Sequence, residues 1–572
     1  MTKRNINQLF GGHRIILLMV LCLFGLCVAQ SRLAPRKSKK VAPDDRVYLE
    51  HADVLKFDEF SKPGVQIVKG KVAFRHQGVR LTCDSAYFRQ DDNSFEAFGH
   101  VNMVEKGKYT LTSDYAFYDG LEEIVRARRN VVLHHQKSTL YCDSLDYDRK
   151  FSFGYFFEGG RLVDGKNTLV SDWGEYNTNT RQATFYYSVR LKSPKYDIHT
   201  DTLHYDTRAK LAHVTGPSTI YNEGNLIKTE DGYYDTEHDK ARLYGRSTVT
   251  SKDKTRTITA DSLYFNSKTG VNQGYRNVVY VDSKNKNMLT GNYCYYNDKT
   301  GVALATRNPT AIDYSQKDTL WMHADTIRLK TFHINTDSVY REVYCYKKVR
   351  AFRNDVQAVC DSLVMNSKDS CMTMYQDPIV WNGENRQLLG EVIKVYTRDS
   401  TIDWAHVIGQ AFSIERMPDK QHFNQISSKE MKSFFTDGKL KRNEAIANVT
   451  TIYYPVDDKD STLIGLNYAE SDTMRMYLDK DQHLEKIWMP KADLVIYPMT
   501  QIPPGKDKLE HFTWFDYIRP VDKNDIYEWR GKAKGTEIRN VKRHEAPLQR
   551  LGLETKATPA PPTTETPKED KK

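Results

Sequence analysis

The phrase in this chain best placed to do chemistry is an aspartate followed by a serine or threonine. It stands at Cys83-Asp84-Ser85-Ala86-Tyr87-Phe88, Cys142-Asp143-Ser144-Leu145-Asp146-Tyr147, Thr200-Asp201-Thr202-Leu203-His204-Tyr205 and Ala260-Asp261-Ser262-Leu263-Tyr264-Phe265. Looser copies begin at Ser113-Asp114, Ser171-Asp172, Glu230-Asp231, Ala324-Asp325, Cys360-Asp361 and Ser471-Asp472. Such an aspartate could be a corner residue, a cation or glycan site, or half of a glycosidase carboxylate pair. Asp-(Ser/Thr)-apolar also resembles an O-glycosylation signal of some Gram-negative envelope proteins.

The spacing favours structure. The first seven aspartates, 84, 114, 143, 172, 201, 231 and 261, are 29 or 30 residues apart, and Gly291-Asn292-Tyr293 keeps the step. A regular period means one supersecondary unit stacked many times. Acids that recur with the repeat are placed by the fold, so Asp84, Asp143, Asp201, Asp261 and Asp361 are read as structural corners. Other chemistry is thin. There is no Gly-rich phosphate loop, nucleophile elbow or HExxH. His134-His135 has no carboxylate pattern beside it, and the remaining histidines are scattered. No enzyme activity, metal or cofactor is expected.

Cysteines 83, 142, 294, 345, 360 and 371 lie beyond the first segment, and three of them immediately precede a corner aspartate. Their spacing is not that of metal ligands. They read as buried free thiols, with a Cys360–Cys371 disulfide as the alternative in an oxidising compartment.

The elements that position these residues are strands. Apolar residues alternate before the corner (Val79, Leu81, Cys83) and again after it (Ala86, Phe88), but the two sets are three residues apart where they meet. Period two is a half-buried strand, and the extra residue marks a bulge or bend that keeps the apolar face inward. About 15 residues on, a second break follows, as in Phe98-Gly99-His100-Val101, Arg129-Asn130-Val131 and Arg276-Asn277-Val278. This predicts a unit of two extended passes, separated by those turn residues and bent at the aspartate.

In chain order, residues 1–29 read as a secretory signal peptide: a basic start, an apolar run from Ile15 to Val28 and small residues at Cys27-Val28-Ala29. An uncleaved anchor is the alternative. Residues 30–45 form a basic linker. Residues 1–40 carry eight Lys and Arg and no acid, so the net charge of +10 leaves the rest of the chain close to neutral, with no basic stripe for nucleic acid. Residues 46–410 are the repeat array. Residues 411–480 read as degenerate repeats, in which 428–435 could instead be a short helix. Residues 481–550 are a terminal cap or docking segment, and 551–572 a disordered Thr/Pro/Lys/Glu tail.

A secretory signal followed by ~30-residue repeats of (Ala/Cys/Thr)-Asp-(Ser/Thr)-Leu-x-(Tyr/Phe) and Gly-(Asn/His/Arg)-Val resembles the OstA family, the organic-solvent-tolerance group that includes LptA-type periplasmic proteins and the N-terminal domain of LptD. Asp84 to Phe88 with Phe98 to Val101, and Asp261 to Phe265 with Arg276 to Val278, carry the match. The resemblance implies an all-β, elongated antiparallel β-jellyroll that holds the acyl chains of lipopolysaccharide between two sheets. It implies residence in the periplasm, bridging toward the outer membrane. Its expected partners are lipopolysaccharide, other transport components joined by strand-edge pairing, and further copies of itself. Inward Leu81, Phe88, Leu145, Leu203, Leu263 and Phe265 would line the lipid path; an ordinary dry core is the other reading of them. Two function classes remain beside this one, a structural β-solenoid of the cell envelope and a polysaccharide-cleaving β-helix enzyme.

Overall fold

The computed structural model of the protein describes residues 45–536 apart from 58, 59, 335, 399, 400, 458–461, 482 and 535. The expected signal, all but the last residue of the linker, residues 537–550 and the tail lie outside the described residues. The described chain is β throughout, with three short 3₁₀ turns and no α-helix among the described residues. Neighbouring passes are antiparallel, and where a corner interrupts a pass its two arms are separate short strands on one neighbour, as Asn167–Ser171 and Trp173–Asn177 both are on Phe153–Asp164.

The two-pass unit is present, but its turns are not where the sequence reading put them. Gly99-His100 lies in the middle of strand Ser94–Glu105, and Arg276-Asn277 in the middle of Val271–Asp282. The hairpins fall between strands, for example between Tyr109–Asp119 and Ile124–His135, where Asp119 Oδ1 accepts the Leu121 and Glu122 amides. Each strand therefore has two arms joined by a corner. At that corner Phe98 faces Tyr115 and Val101 faces Ser113, which leaves Gly99-His100 opposite the single Asp114. Two residues against one is a bulge, and it bends both strands.

The doubled position has a left-handed backbone twice over. Gly70-Lys71, Gly99-His100, Arg129-Asn130, Arg276-Asn277 and Ala447-Asn448 all have positive φ. Side chains other than glycine, asparagine and aspartate seldom adopt that conformation. The aspartate of the preceding strand holds it with hydrogen bonds. Asp114 Oδ2 accepts from Asn130 Nδ2 at 2.7 Å, Asp261 Oδ2 from Asn277 Nδ2 at 2.8 Å, and Asp84 Oδ2 from His100 Nδ1 at 2.7 Å. A Cβ on Gly99 would come within 2.3 Å of Asp84 Oδ2, so a larger residue there must push the Asp84 carboxylate aside, and Arg129 and Arg276 fill the equivalent position in other repeats.

The residue before the aspartate also works for the corner. The hydroxyls of Ser113, Ser171, Thr200 and Ser471 each donate to the carbonyl two residues on, across the bend, and Thr229 and Ser428 do the same at corners where Glu230 and Lys429 take the aspartate's place. The Cys83 thiol does the same toward Ser85 O. All six cysteines of the described chain are free, so the Cys360–Cys371 disulfide is not formed. Cys360 is buried inside at a corner, whereas Cys371 opens the next strand.

Residues 428–435 belong to strand Phe423–Thr436, and the helical alternative is overturned. Its inward positions are Ile426 and Ser428 before the corner and Met431 and Ser433 after it, which is strand alternation with the three-residue corner step, while Gln425 is buried on the opposite face. A helix would place them around its circumference.

The chain divides into two compact units between Ala183 and Thr184. In the first, facing arms pack directly: Phe74 stacks on Phe95 with centroids 4.2 Å apart and meets Phe88 at 5.4 Å. The mouth between the arms is bridged by a 2.6 Å His76–Tyr118 hydrogen bond and a 2.7 Å His135–Tyr176 bond. Arg149 adds a donor to the Tyr118 hydroxyl and pairs with Glu123.

Candidate functional site: an apolar cleft in the second unit

In the second unit the interior consists of register rows that run from strand to strand. Directly paired residues of an antiparallel ladder share a face. The row next to the corner on one arm includes Leu203, Val214, Leu243, Leu263, Ala305, Ile327, Cys345, Leu363, Met374, Ile393, Val407 and Met431, all buried. These residues and their counterparts across the corner, such as Val349, Cys360 and Ala411, form the bottom of the interior.

The rows nearer the mouth behave differently along the chain. On one arm, Ile198, Ile220, Ile227, Val249, Ile258, Tyr280, Leu289, Ala311 and Met322 are paired in succession. Ile198 and Ile220 are fully buried and Ile227 nearly so, but Val249, Ile258, Tyr280, Leu289, Ala311 and Met322 are half-buried. On the facing arm, Tyr205, Ala212, Tyr234 and Ala241 are buried. Beyond them Phe265, Ala303, Leu329, Val343 and Met372 are half-buried, with polar Asn272 between Phe265 and Tyr296, while Tyr296 is 45% and Met365 49% exposed. The second unit thus begins closed and opens from about Val249 into an apolar cleft with a packed bottom. Leu289, Met322, Ala358, Val380 and Leu388 on one wall and Val343, Met372 and Val395 on the other pack down onto that bottom.

The hairpin turns at the open mouth are rich in cations. Exposed Lys252, Lys254, Lys284 and Lys286 stand on one side and exposed Lys268 and Lys299 on the other, interspersed with Asp253 and Asp298. Where the unit is still closed, the Tyr196 hydroxyl donates to Asp239 Oδ1 at 2.7 Å, and Lys195 also donates to that carboxylate. Tyr196 and Asp239 sit at the ends of opposite arms, and the Tyr196 ring meets Tyr234 edge-on at 5.5 Å.

The outer face of one wall is covered by the chain's own C-terminal part. After the exposed strands Leu484–Trp488 and Asp493–Pro498, the chain turns back at Met499–Gln501 and runs as a strap over earlier strands. Outward-facing Gln425, Ile414, Gln387, Trp381 and Gln357 lie in one register row and are all buried beneath it. Gln425 gives its amide hydrogen to Asp507 O and accepts from the Leu509 amide; Gln387 does the same with Thr513 O and the Phe515 amide. Arg519 donates to Gln357, and fully buried Arg350 donates to Ile518 O and Asp525. Leu509, Phe515 and Ile518 join Trp381, Ile414 and Ile452 in one core.

Of the residues expected to line a lipid path, Leu81, Phe88 and Leu145 lie in the packed first unit, and Leu203 and Leu263 in the bottom row of the second; all five are buried. Phe265 stands half-buried on the wall of the open cleft. The sequence reading did not name the upper rows, Val249 to Met322 and Ala303 to Met372. Their inward phase was readable by counting from each corner, but their exposure was not. Three of the corner serines are engaged: Ser144 donates to Glu158, Ser262 to Leu243 O and buried Ser362 to Asp361. Among the described residues no cluster of three or more His, Cys, Asp or Glu could hold a metal ion. None of their helices is long and apolar enough to cross a membrane.

Residues 44–201 match the family of OstA-like proteins. No curated protein matches the chain. Among solved structures, the chain matches LptH from Pseudomonas aeruginosa, described as the LptA homologous periplasmic component of the conserved lipopolysaccharide transport device. That match has 15% identity, covers 25% of this chain and 95% of that one, and has a TM-score of 0.19.

Proposed function

We propose that this chain is a periplasmic lipopolysaccharide-binding transport protein that shields acyl chains in the open cleft and hands them on toward the outer membrane. The observation that carries the reading is the pair of facing apolar rows, half-exposed above a buried bottom. Water-exposed apolar surface that stays uncovered in a folded protein marks a binding site when it is continuous. Each acyl methylene placed there gains about 0.8 kcal/mol. The OstA-like match and the repeat phrase supply the ligand class, and the lysines of the mouth suit a phosphate-bearing head group.

Transport of this kind needs many near-equivalent sites and no covalent step. Register rows provide them, because each strand offers the next one a similar residue at the same height. Partners would add to strand edges. Tyr48–His51 and Val54–Phe57 near one end of the array, and Leu484–Trp488 near the other, carry exposed side chains on short strands of the sort that accept a further strand. Other transport components and further copies of this chain are the partners such edges fit. A structural solenoid would be expected to keep its interior dry throughout, and the half-exposed rows weigh against it.

The test is depletion of the protein in its native cell. Newly made lipopolysaccharide should then accumulate at the inner membrane. Normal surface display under depletion would contradict the proposal.

A further inference from the structure

We infer that the Tyr196–Asp239 bridge, with Lys195, is a stop that ends the acyl-chain path inside the second unit, so that bound chains occupy the rows from Val249 onward and are excluded from Ile198, Ile220 and Ile227. This rests on the lipid-binding reading above and goes beyond it, because it assigns one boundary of the path to named side chains.

Neither the backbone nor the chemistry of the row provides that boundary. Ile198, Ile220, Ile227, Val249, Ile258, Tyr280 and Leu289 are joined by unbroken antiparallel pairing and share one face. All are apolar or aromatic, so a chain sliding along the row from Leu289 would meet no change of surface at Ile227. Accessibility is what changes: the row passes from buried to half-buried between Ile227 and Val249.

The bridge stands where the row is still buried. Tyr196 opens strand Tyr196–Asp206 at the mouth end of one arm. Asp239 lies in the turn before Lys240–Thr250, at the mouth end of the other. The hydroxyl–carboxylate bond, the Lys195 ion pair and the Tyr196–Tyr234 ring contact together tie the two arms across the mouth. An alkyl chain could enter the buried rows only by parting these groups. The first unit has the same device in other chemistry, with His76–Tyr118 and His135–Tyr176 across its mouth and packed rings beneath. Tyr196 and Asp239 are therefore positioning residues: they touch no ligand, and they decide how far one can reach.

The test uses the full-length protein with a photoreactive residue at Ile227 or, separately, at Leu289, irradiated with purified lipopolysaccharide. In the otherwise unchanged protein we expect an adduct at Leu289 and only background at Ile227. Tyr196→Ala should raise the Ile227 adduct to the level of the Leu289 adduct without lowering the latter. Tyr196→Phe and Asp239→Ala, which remove the bond but keep the ring, guard against a misfolded Tyr196→Ala and should raise Ile227 labelling in the same direction. A merely stabilising bridge would lower the melting temperature and leave the labelling pattern where it was. Equal adducts at Ile227 and Leu289 before any bridge substitution would overturn the stop alone. So would bridge variants that melt cooperatively and still give no adduct at Ile227. Absence of an adduct at both positions in every variant would overturn the lipid reading, and this inference with it.

Discussion

A corner of this repeat asks two successive residues to turn left-handed while a carboxylate sits against them, and that demand explains the side chains found there. Gly99 has φ of +73°, and a Cβ there would meet the Asp84 carboxylate. Gly99→Val should therefore lower stability by at least about 1–2 kcal/mol, the cost of a left-handed L-residue, read as a shift in denaturant midpoint. Cys83 donates its thiol as Ser113 and Ser171 donate their hydroxyls. Burial pushes that thiol up to about 12 from an ordinary 9.0. A raised acid pKa favours the folded state fully below the unfolded value and loses that contribution as pH rises from about 9 toward 12. Cys83→Ser should thus match the parent's denaturant midpoint near pH 7 and exceed it near pH 10. In the native protein at neutral pH, Cys83 should resist maleimide until the chain is unfolded. The aspartates and their period were fully legible in the sequence. The role of the residue before them was not, because a buried thiol and a thiol that bridges a bend look the same in one dimension.

At the scale of the element, strand identity and inward phase were legible because period two and the three-residue corner step are local. The place of the turns was not. A left-handed Gly-His or Arg-Asn pair in mid-strand uses the same residue types as a hairpin, and only its partner across the ladder tells them apart. Residues 481–550 read as a terminal cap or docking segment, but the face that the strap covers was not legible. Its signal lay in outward-phase residues that are apolar or amide-bearing, Trp381, Ile414 and Ile452 among Gln357, Gln387 and Gln425, on a face that would otherwise meet water. Phasing gave their direction, but what covers them comes from more than a hundred residues later for Gln387. Gln387→Ala strips partners from Thr513 O and the Phe515 amide, and each orphaned buried group costs about 1–3 kcal/mol. We expect a lower melting temperature and earlier proteolysis within residues 499–532. Substitution at exposed Lys534 should do neither.

At the scale of the whole molecule, the question is why a chain would leave apolar rows uncovered on facing arms of successive strands. Hydrophobic burial is the dominant favourable contribution to folding, and a sandwich that opens gives part of it up. In this account the strap offsets that loss for one wall, because strands whose inner face is half-exposed at Ala358, Val380 and Leu388 have their outer face buried at Gln357, Trp381 and Gln387. The all-β repeat was legible from sequence, and so was the existence of an interior. The sequence did not reveal where that interior opens, since the same alternation of apolar residues serves a packed core and an accessible cleft.

The measurement that bears most directly on the lipid cleft compares two adjacent residues of one strand. Met365 and Val364 lie on opposite faces of Val356–Asn366, with Met365 on the cleft wall. A photoreactive residue would be placed at each in turn in living cells and probed for lipopolysaccharide. An adduct is expected at Met365 and none at Val364. Folded protein that gives no adduct at Met365, or equal adducts at both, would contradict it.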